Sequence, residues 1–398
     1  MAPARATSPA PAPGAAKPTE TALKRDAKIE KSGACSWSMC RMLSVLIVAV
    51  GLAMVRSGFV INFTPGDEDV TNFSTIYRGV QGNDQHSAYD ADVARSFYNL
   101  ANEFYEYGWG DSFHFGFRRK SEPHSVSIRN SQNFIAQKLR VGDMDNVLDI
   151  GCGIGGPMRG VVRATGANVT GLTINPYQIK RGREITSNLS PWMQARCHFS
   201  LQDYLKVDGL PEGHYDGAFY MESSLHCENR TTTFKEAFRL LKPGAMLVAM
   251  EYVTLPGWDP AKAEHKELMR EHLHGNGAAR TPSIEEDLAM VRAAGFEVVE
   301  HFDYMDLGND IYGEDNWPWW ADLQPHMPDP RRLLLPAHPY VRWMQPTVLG
   351  FLAKVGLLPE NVPKTASVMN EGADGLSGLG KVGAITPQYY IGARKPLK

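Results

Sequence analysis

The chain has 398 residues, a formal net charge of -3 and a pI near 6.5. No broad basic field is present, so no nucleic-acid partner is expected. With 43% hydrophobic and 21% charged residues it can bury one full α/β core plus an appended region, and its five scattered cysteines (Cys35, Cys40, Cys152, Cys197, Cys227) argue for a reducing compartment and against a disulfide scaffold or a metal site.

In chain order, residues 1–34 are rich in Ala, Pro, Thr and Lys without an apolar period, and 1–41 reads as a disordered tail. Residues 42–55 carry no charge, and past Arg56 and Ser57 the apolar character resumes through Phe63. A spanning helix needs about 20 apolar residues, which 42–63 reaches only by tolerating Arg56. We read it as a hydrophobic membrane anchor. Seven Lys/Arg against three Asp/Glu precede it, so a simple span would keep the tail cytosolic and place the rest of the chain across the membrane. A span would separate that part of the chain from cytosolic small molecules, so an interfacial or re-entrant anchor that keeps it on the cytosolic side is preferred. The long polar tail argues against a secretory signal peptide.

Residues 64–125 form a helical and aromatic lid region. A helical pattern over 92–107 leads into Gly108-Trp109-Gly110-Asp111-Ser112-Phe113-His114-Phe115. A buried aromatic clamp is the plain account of that stretch, and a lid is the sharper one.

Residues 126–303 hold the cofactor domain. Strand candidates at 147–150, 168–174, 197–201, 216–221, 245–253 and 295–302 alternate with helical patterns near 157–165, 176–188, 231–242 and 283–294. This predicts a doubly wound, Rossmann-like α/β domain with a mostly parallel sheet. Its first strand runs into Gly151, Gly153, Gly155 and Gly156, a turn that opens a helix at the edge where such sheets bind ligands. Residues 304–398, with an apolar helical run near 340–357 and a strand-like 385–394, read as a C-terminal substrate-side extension.

The glycine turn alone fits a dinucleotide as well as S-adenosylmethionine, and its surroundings decide. Asp149 precedes the glycines, where a pyrophosphate would be repelled and a methionine ammonium attracted. The second strand ends at Thr173 and Asn175 without the acid that a nicotinamide ribose requires, while Thr173, Asn175 and Gln178 can bind hydroxyls as neutral partners. Gln202 and Asp203 follow the third strand, where a carboxylate can accept from an adenine amino group. S-adenosylmethionine is the expected cofactor.

From about Phe97 to Pro396 the chain resembles the sterol C-24 methyltransferases, within the class I S-adenosylmethionine-dependent methyltransferases. The likeness rests on YEYGWGDSFHF (Tyr105 to Phe115), DIGCGIGGPMR (Asp149 to Arg159), Pro318-Trp319-Trp320, Asp374-Gly375-Leu376 and the closing run Ile385-Thr386-Pro387-Gln388-Tyr389 to Pro396. The wording Met221-Glu222-Ser223 is closer to tocopherol- or prenylquinone-type methyltransferases, which stand as the alternative.

The resemblance implies methyl transfer to the side-chain alkene of a sterol, a hydride shift in the resulting cation and loss of a proton. Tyr107, Trp109 and Ser112 then close over the cofactor, and aromatic faces stabilise the cation. Glu222 is the first candidate for the base, with His226, His114 and Tyr107 as further catalytic candidates. A structural role for Glu222 and an orienting role for His226 remain alternatives at this level. A homo-oligomer is left open.

Overall fold

The structure, a computed structural model, describes residues 89–324 and 339–397 apart from 357 and 359, together with Phe73 and Tyr77. All of these belong to the unit Phe63–Lys398. The tail and the anchor expected over 42–63 lie outside the described residues. Among the described residues no helix is long and apolar enough to cross a membrane.

The core is a seven-stranded mixed sheet in the order β3-β2-β1-β4-β5-β7-β6. Its strands are β1 (Asn146–Ile150), β2 (Asn168–Thr173), β3 (Cys197–Leu201), β4 (Tyr215–Met221), β5 (Leu241–Thr254), β6 (Glu297–Asp303) and β7 (Ile385–Arg394). Pairs from β3 through β5 are parallel, whereas β7 runs antiparallel to both β5 and β6. Central strands covered on both faces carry mostly apolar residues, which is why Val147, Leu148 and Ile150 are all buried and Asp149 is the one charged group among them.

The stretch 385–394, assigned from sequence to an extension, is a strand of this same sheet. Ile385 pairs with Thr254 and Tyr389 with Glu251. Because β7 is antiparallel, its first half lies at the C-terminal edge of the parallel strands, where ligands bind in such folds. Gln388 reaches the site by that route.

The helices are α1 (Tyr89–Trp109), α2 (His124–Leu139), α3 (Gly156–Thr165), α4 (Pro176–Ser187), α5 (Pro191–Gln194), α6 (Thr231–Leu240), α7 (Ala263–Gly275), α8 (Ile284–Ala293), α9 (Tyr304–Tyr312), α10 (Pro339–Lys354) and α11 (Val362–Lys381). Three polar bonds tie α1 to the ligand edge. Asn175 donates to Asn99 at 2.9 Å, Gln178 donates to Asn102 at 2.9 Å, and Tyr98 meets His226 at 3.0 Å. The sequence pattern missed α7 and α11 because each lacks a clear apolar stripe; both are rich in polar or small residues and are held by packing against each other.

Candidate active site

Gly151, Gly153 and Gly155 take positive φ of 83°, 54° and 83°, which carries the chain from β1 into α3. At Gly153 an added Cβ would meet nothing nearer than Phe113 at 3.9 Å, so the turn presents bare backbone to an open cavity. At Gly156 an added Cβ would stand 2.0 Å from the Asp111 carbonyl, so the missing side chain is what lets the segment 110–115 dock on the turn. Arg159, itself buried, secures that docking with bonds of 2.9 Å to Asp111 and 2.9 Å to the Ile154 carbonyl. Burial pushes the Asp111 carboxyl up, but the Arg159 guanidinium outweighs it and holds the group below the usual carboxylate range.

The cavity over this turn is lined by Gly151, Gly153, Thr173, Asn175, Gln178 and Asp203 among the residues expected for the cofactor. Thr173 donates to Gln178 at 2.6 Å, and the Asn175 side-chain Oδ1 caps α4 by accepting from the Tyr177 and Gln178 N–H groups. Much of their polar capacity thus holds α1 and α4 in place around the cavity. One Asp203 oxygen accepts from the Leu205 N–H at 2.8 Å. Gln202 is elsewhere: both ends of its amide bond the backbone of Asp208. Ser112 lies under the turn, bonded to Asp111 and Gln132. Trp109 lines a different cavity, and the side chain of Tyr107 is outside the described residues.

Asp149 is buried behind the turn. Burial raises its pKa to about 8 against the pull of the Met158 N–H and Arg159, and its Oδ2 has no hydrogen-bond partner. A bare glycine face, neutral polar groups from β2 and an acid past β3 fit S-adenosylmethionine.

A second, larger and predominantly apolar cavity abuts the first. Tyr98, Phe113, Glu222 and His226 line both. Tyr105, Trp109, Phe115 and Tyr252 complete much of its aromatic wall, with Tyr105 centred 5.4 Å from Phe113 and 5.8 Å from Trp109. Such faces can stabilise a cation by roughly 0.5–2 kcal/mol each.

Glu222 sits on the shared wall just past β4. Its Oε1 accepts from the Phe115 N–H at 2.7 Å and from Gln388 at 2.8 Å, and its Oε2 accepts from Tyr252 at 3.1 Å. Each carboxylate oxygen offers about two acceptor sites. Oε1 is filled, while Oε2 keeps one. Burial pushes the Glu222 pKa up to about 8 despite these donors.

The two histidines are committed. His114 Nδ1 donates to the Phe115 carbonyl at 2.7 Å, and its Nε2 accepts from Gln132 at 3.2 Å. His226 Nδ1 donates to the Gly277 carbonyl at 2.8 Å, and its Nε2 accepts from Tyr98 at 3.0 Å. Burial lowers both pKa values to about 4, so both rings are neutral near pH 7. Of the three, Glu222 Oε2 is the atom with a vacant acceptor position, once the carboxyl is ionised.

Glu222 also has φ of +52°, a left-handed conformation that costs a non-glycine residue on the order of 1 kcal/mol. Buried Glu251 holds that turn, taking the N–H groups of Ser223 at 3.0 Å and Ser224 at 2.9 Å on one oxygen. Behind it Arg230 lies 4.0 Å from Glu251, bonds Asp287 at 2.9 Å and donates to the Tyr252 carbonyl at 3.0 Å. Removing one member of such a buried pair typically costs about 3–5 kcal/mol. A strained backbone held this firmly aims the carboxylate into the cavities.

Sequence reasoning overlooked Tyr98, Asp111, Tyr252, Glu251 and the role of Gln388. Gln388 did carry a signal, as the one amide side chain in the strand-like run 385–394. Among the described residues no group of three or more His, Cys, Asp or Glu is placed to hold a metal ion.

A family described as "Methyltransferase domain" matches residues 148–249, and one described as "Sterol methyltransferase C-terminal" matches residues 335–397. The chain is 32% identical over 321 residues to cycloartenol-C-24-methyltransferase of Arabidopsis thaliana, covering 81% of this chain and 92% of that protein. It is 30% identical to sterol 24-C-methyltransferase erg6 of Aspergillus fumigatus, covering 77% and 80%. Among solved structures it resembles mycolic acid cyclopropane synthase CmaA1 complexed with SAH and CTAB, at a TM-score of 0.56 and 16% identity over 75% of this chain and 96% of that one, a likeness of fold. Together with the cavity on the glycine turn, these matches identify S-adenosylmethionine as the cofactor of a C-methyltransferase. The chain belongs to the sterol 24-C-methyltransferase family.

Proposed function

We propose that this protein transfers a methyl group to C-24 of a sterol whose side chain carries a double bond at that position. The observation that carries the reading is Glu222 on the wall common to the cofactor cavity and the aromatic cavity, with an acceptor position free on Oε2. S-adenosylmethionine, when bound, supplies an electrophilic methyl group on a sulfonium. The chain aligns the alkene with it across the Phe113 and Glu222 wall, and such alignment is a large part of catalysis in any two-substrate reaction. Forming the new carbon–carbon bond leaves a cation on the side chain. The faces of Tyr98, Tyr105 and Phe113 stabilise it, and the apolar wall excludes water that would trap it. After the hydride shift a C–H proton passes to Glu222 Oε2 and its electron pair closes the new double bond.

Residues 42–63 serve as an interfacial anchor that brings the catalytic domain to a lipid substrate, on the cytosolic face of the endoplasmic reticulum. The test is transfer of methyl label from S-adenosylmethionine to lipid extracts by the full chain, followed by chromatography. Label in a sterol supports the reading; label in a prenylquinone or in no lipid overturns it. Fractionation of cells expressing the full chain and a truncation from residue 64 tests the anchor, which fails if both remain equally with membranes.

A further inference from the structure

The apolar cavity contains a polar group that methyl transfer leaves unused. His124, the first residue of α2, lines this cavity beside Trp109, and its Nε2 is shielded from solvent without a hydrogen-bond partner. The opposite edge of the ring is occupied. Nδ1 stands 3.5 Å from Asp322 Oδ2 and 3.4 Å from Ser127 Oγ. Ser127 donates its own proton to the His124 carbonyl at 2.6 Å. Both neighbours therefore face Nδ1 as acceptors, so Nδ1 carries a proton, and in the neutral ring Nε2 presents a lone pair.

Asp322 is held rigidly. Arg118 grips it with two bonds of 2.7 Å each, and Trp317 Nε1 donates to it at 3.1 Å. Arg118 and Asp322 are only 5% and 7% exposed, so the carboxylate facing Nδ1 is fixed in place. An acceptor fixed in a predominantly apolar cavity loses free energy unless a donor reaches it.

Its position relative to Glu222 indicates the kind of donor. The His124 ring is centred 6.4 Å from Trp109, Trp109 is centred 6.0 Å from Phe115, and the Phe115 N–H reaches Glu222. Two aromatic residues thus separate the imidazole from the carboxylate within one cavity. A matching ligand is a long apolar molecule with a hydroxyl at one end and its reactive carbon at the other. We propose that His124, oriented by Asp322, accepts a hydrogen bond from the 3-hydroxyl of the sterol and so sets substrate choice and register. This rests on the sterol reading above.

The experiment compares a 3-hydroxy sterol with its 3-deoxy analogue, presented in detergent to the full-length protein and to His124→Leu and His124→Gln. The unmodified protein should prefer the hydroxy sterol by roughly tenfold or more in kcat/KM, chiefly through KM. His124→Leu should lose that preference by falling to the level of the analogue, with S-adenosylmethionine affinity unchanged by calorimetry. His124→Gln should show an intermediate preference. An undiminished preference in His124→Leu, or no preference in the unmodified protein, overturns the assignment. If His124→Leu no longer binds S-adenosylmethionine, His124→Gln decides: a reduced preference supports the role and an unchanged one overturns it. Methyl transfer to no sterol at all would sink the substrate reading instead.

Discussion

The Tyr252 hydroxyl donates to Glu222 Oε2 across 3.1 Å, joining the aromatic wall to the proposed base. That bond favours the ionised carboxylate, against burial that favours the acid. Tyr252→Phe should therefore raise the Glu222 pKa by about one unit, the worth of one such bond. Turnover near pH 7 should drop about tenfold and recover as pH rises. A pH–rate profile checks this, and a uniform loss at every pH would remove the bond from the mechanism.

Glu222→Gln keeps an oxygen for the Phe115 and Gln388 donors while abolishing the base. Turnover should fall roughly 10²- to 10⁴-fold, the usual contribution of a positioned base. Cofactor affinity should stay within a few-fold. Steady-state kinetics beside calorimetry separates the two, and wild-type turnover in this variant would exclude Glu222 as the base.

Glu222 and Asp149 both have pKa values raised to about 8 by burial. The folded chain therefore binds more protons than the unfolded chain between the ordinary carboxylate range and pH 8. Their contribution to stability is complete below that range and declines as pH rises through 8. Unfolding midpoints between pH 5 and 8 should follow this slope, less steeply in Glu222→Gln. The sulfonium of the cofactor favours an ionised Glu222 on the cavity wall, so cofactor affinity should rise from pH 6 to 8, and more steeply than that of S-adenosylhomocysteine, which keeps the ammonium but lacks the sulfonium. Identical pH dependence for the two ligands would count against Glu222 as a partner of the sulfonium charge.

Gly153→Ala places a methyl group in the open cradle at φ 54°, with backbone strain of about 1 kcal/mol. Cofactor affinity should fall at least tenfold, and the folded protein should persist because the nearest atom to the new Cβ is 3.9 Å away. Calorimetry against a thermal melt distinguishes lost binding from lost fold.

Much of the parallel half of the sheet was legible because its evidence is local. Val147 to Ile150 is a short run, apolar but for Asp149, that leads into glycine, and the helical patterns near 157–165 and 176–188 correspond to α3 and α4. The place of β7 was not legible. Strand pairing is a contact between residues far apart in sequence, and nothing within 385–394 says that it inserts between β5 and β6.

The same division holds at the site. Sequence alone determined the glycine turn, the absence of a ribose-binding acid at Thr173 and the candidacy of Glu222, because each depends on residue type and near neighbours. Tertiary structure alone decided that Phe115, Tyr252 and Gln388 converge on Glu222, that His114 and His226 have both nitrogens occupied, and that Gln202 turns away to Asp208. Hydrogen-bond capacity and burial are set by what folding brings within about 3 Å, and chain order carries almost no information about that distance.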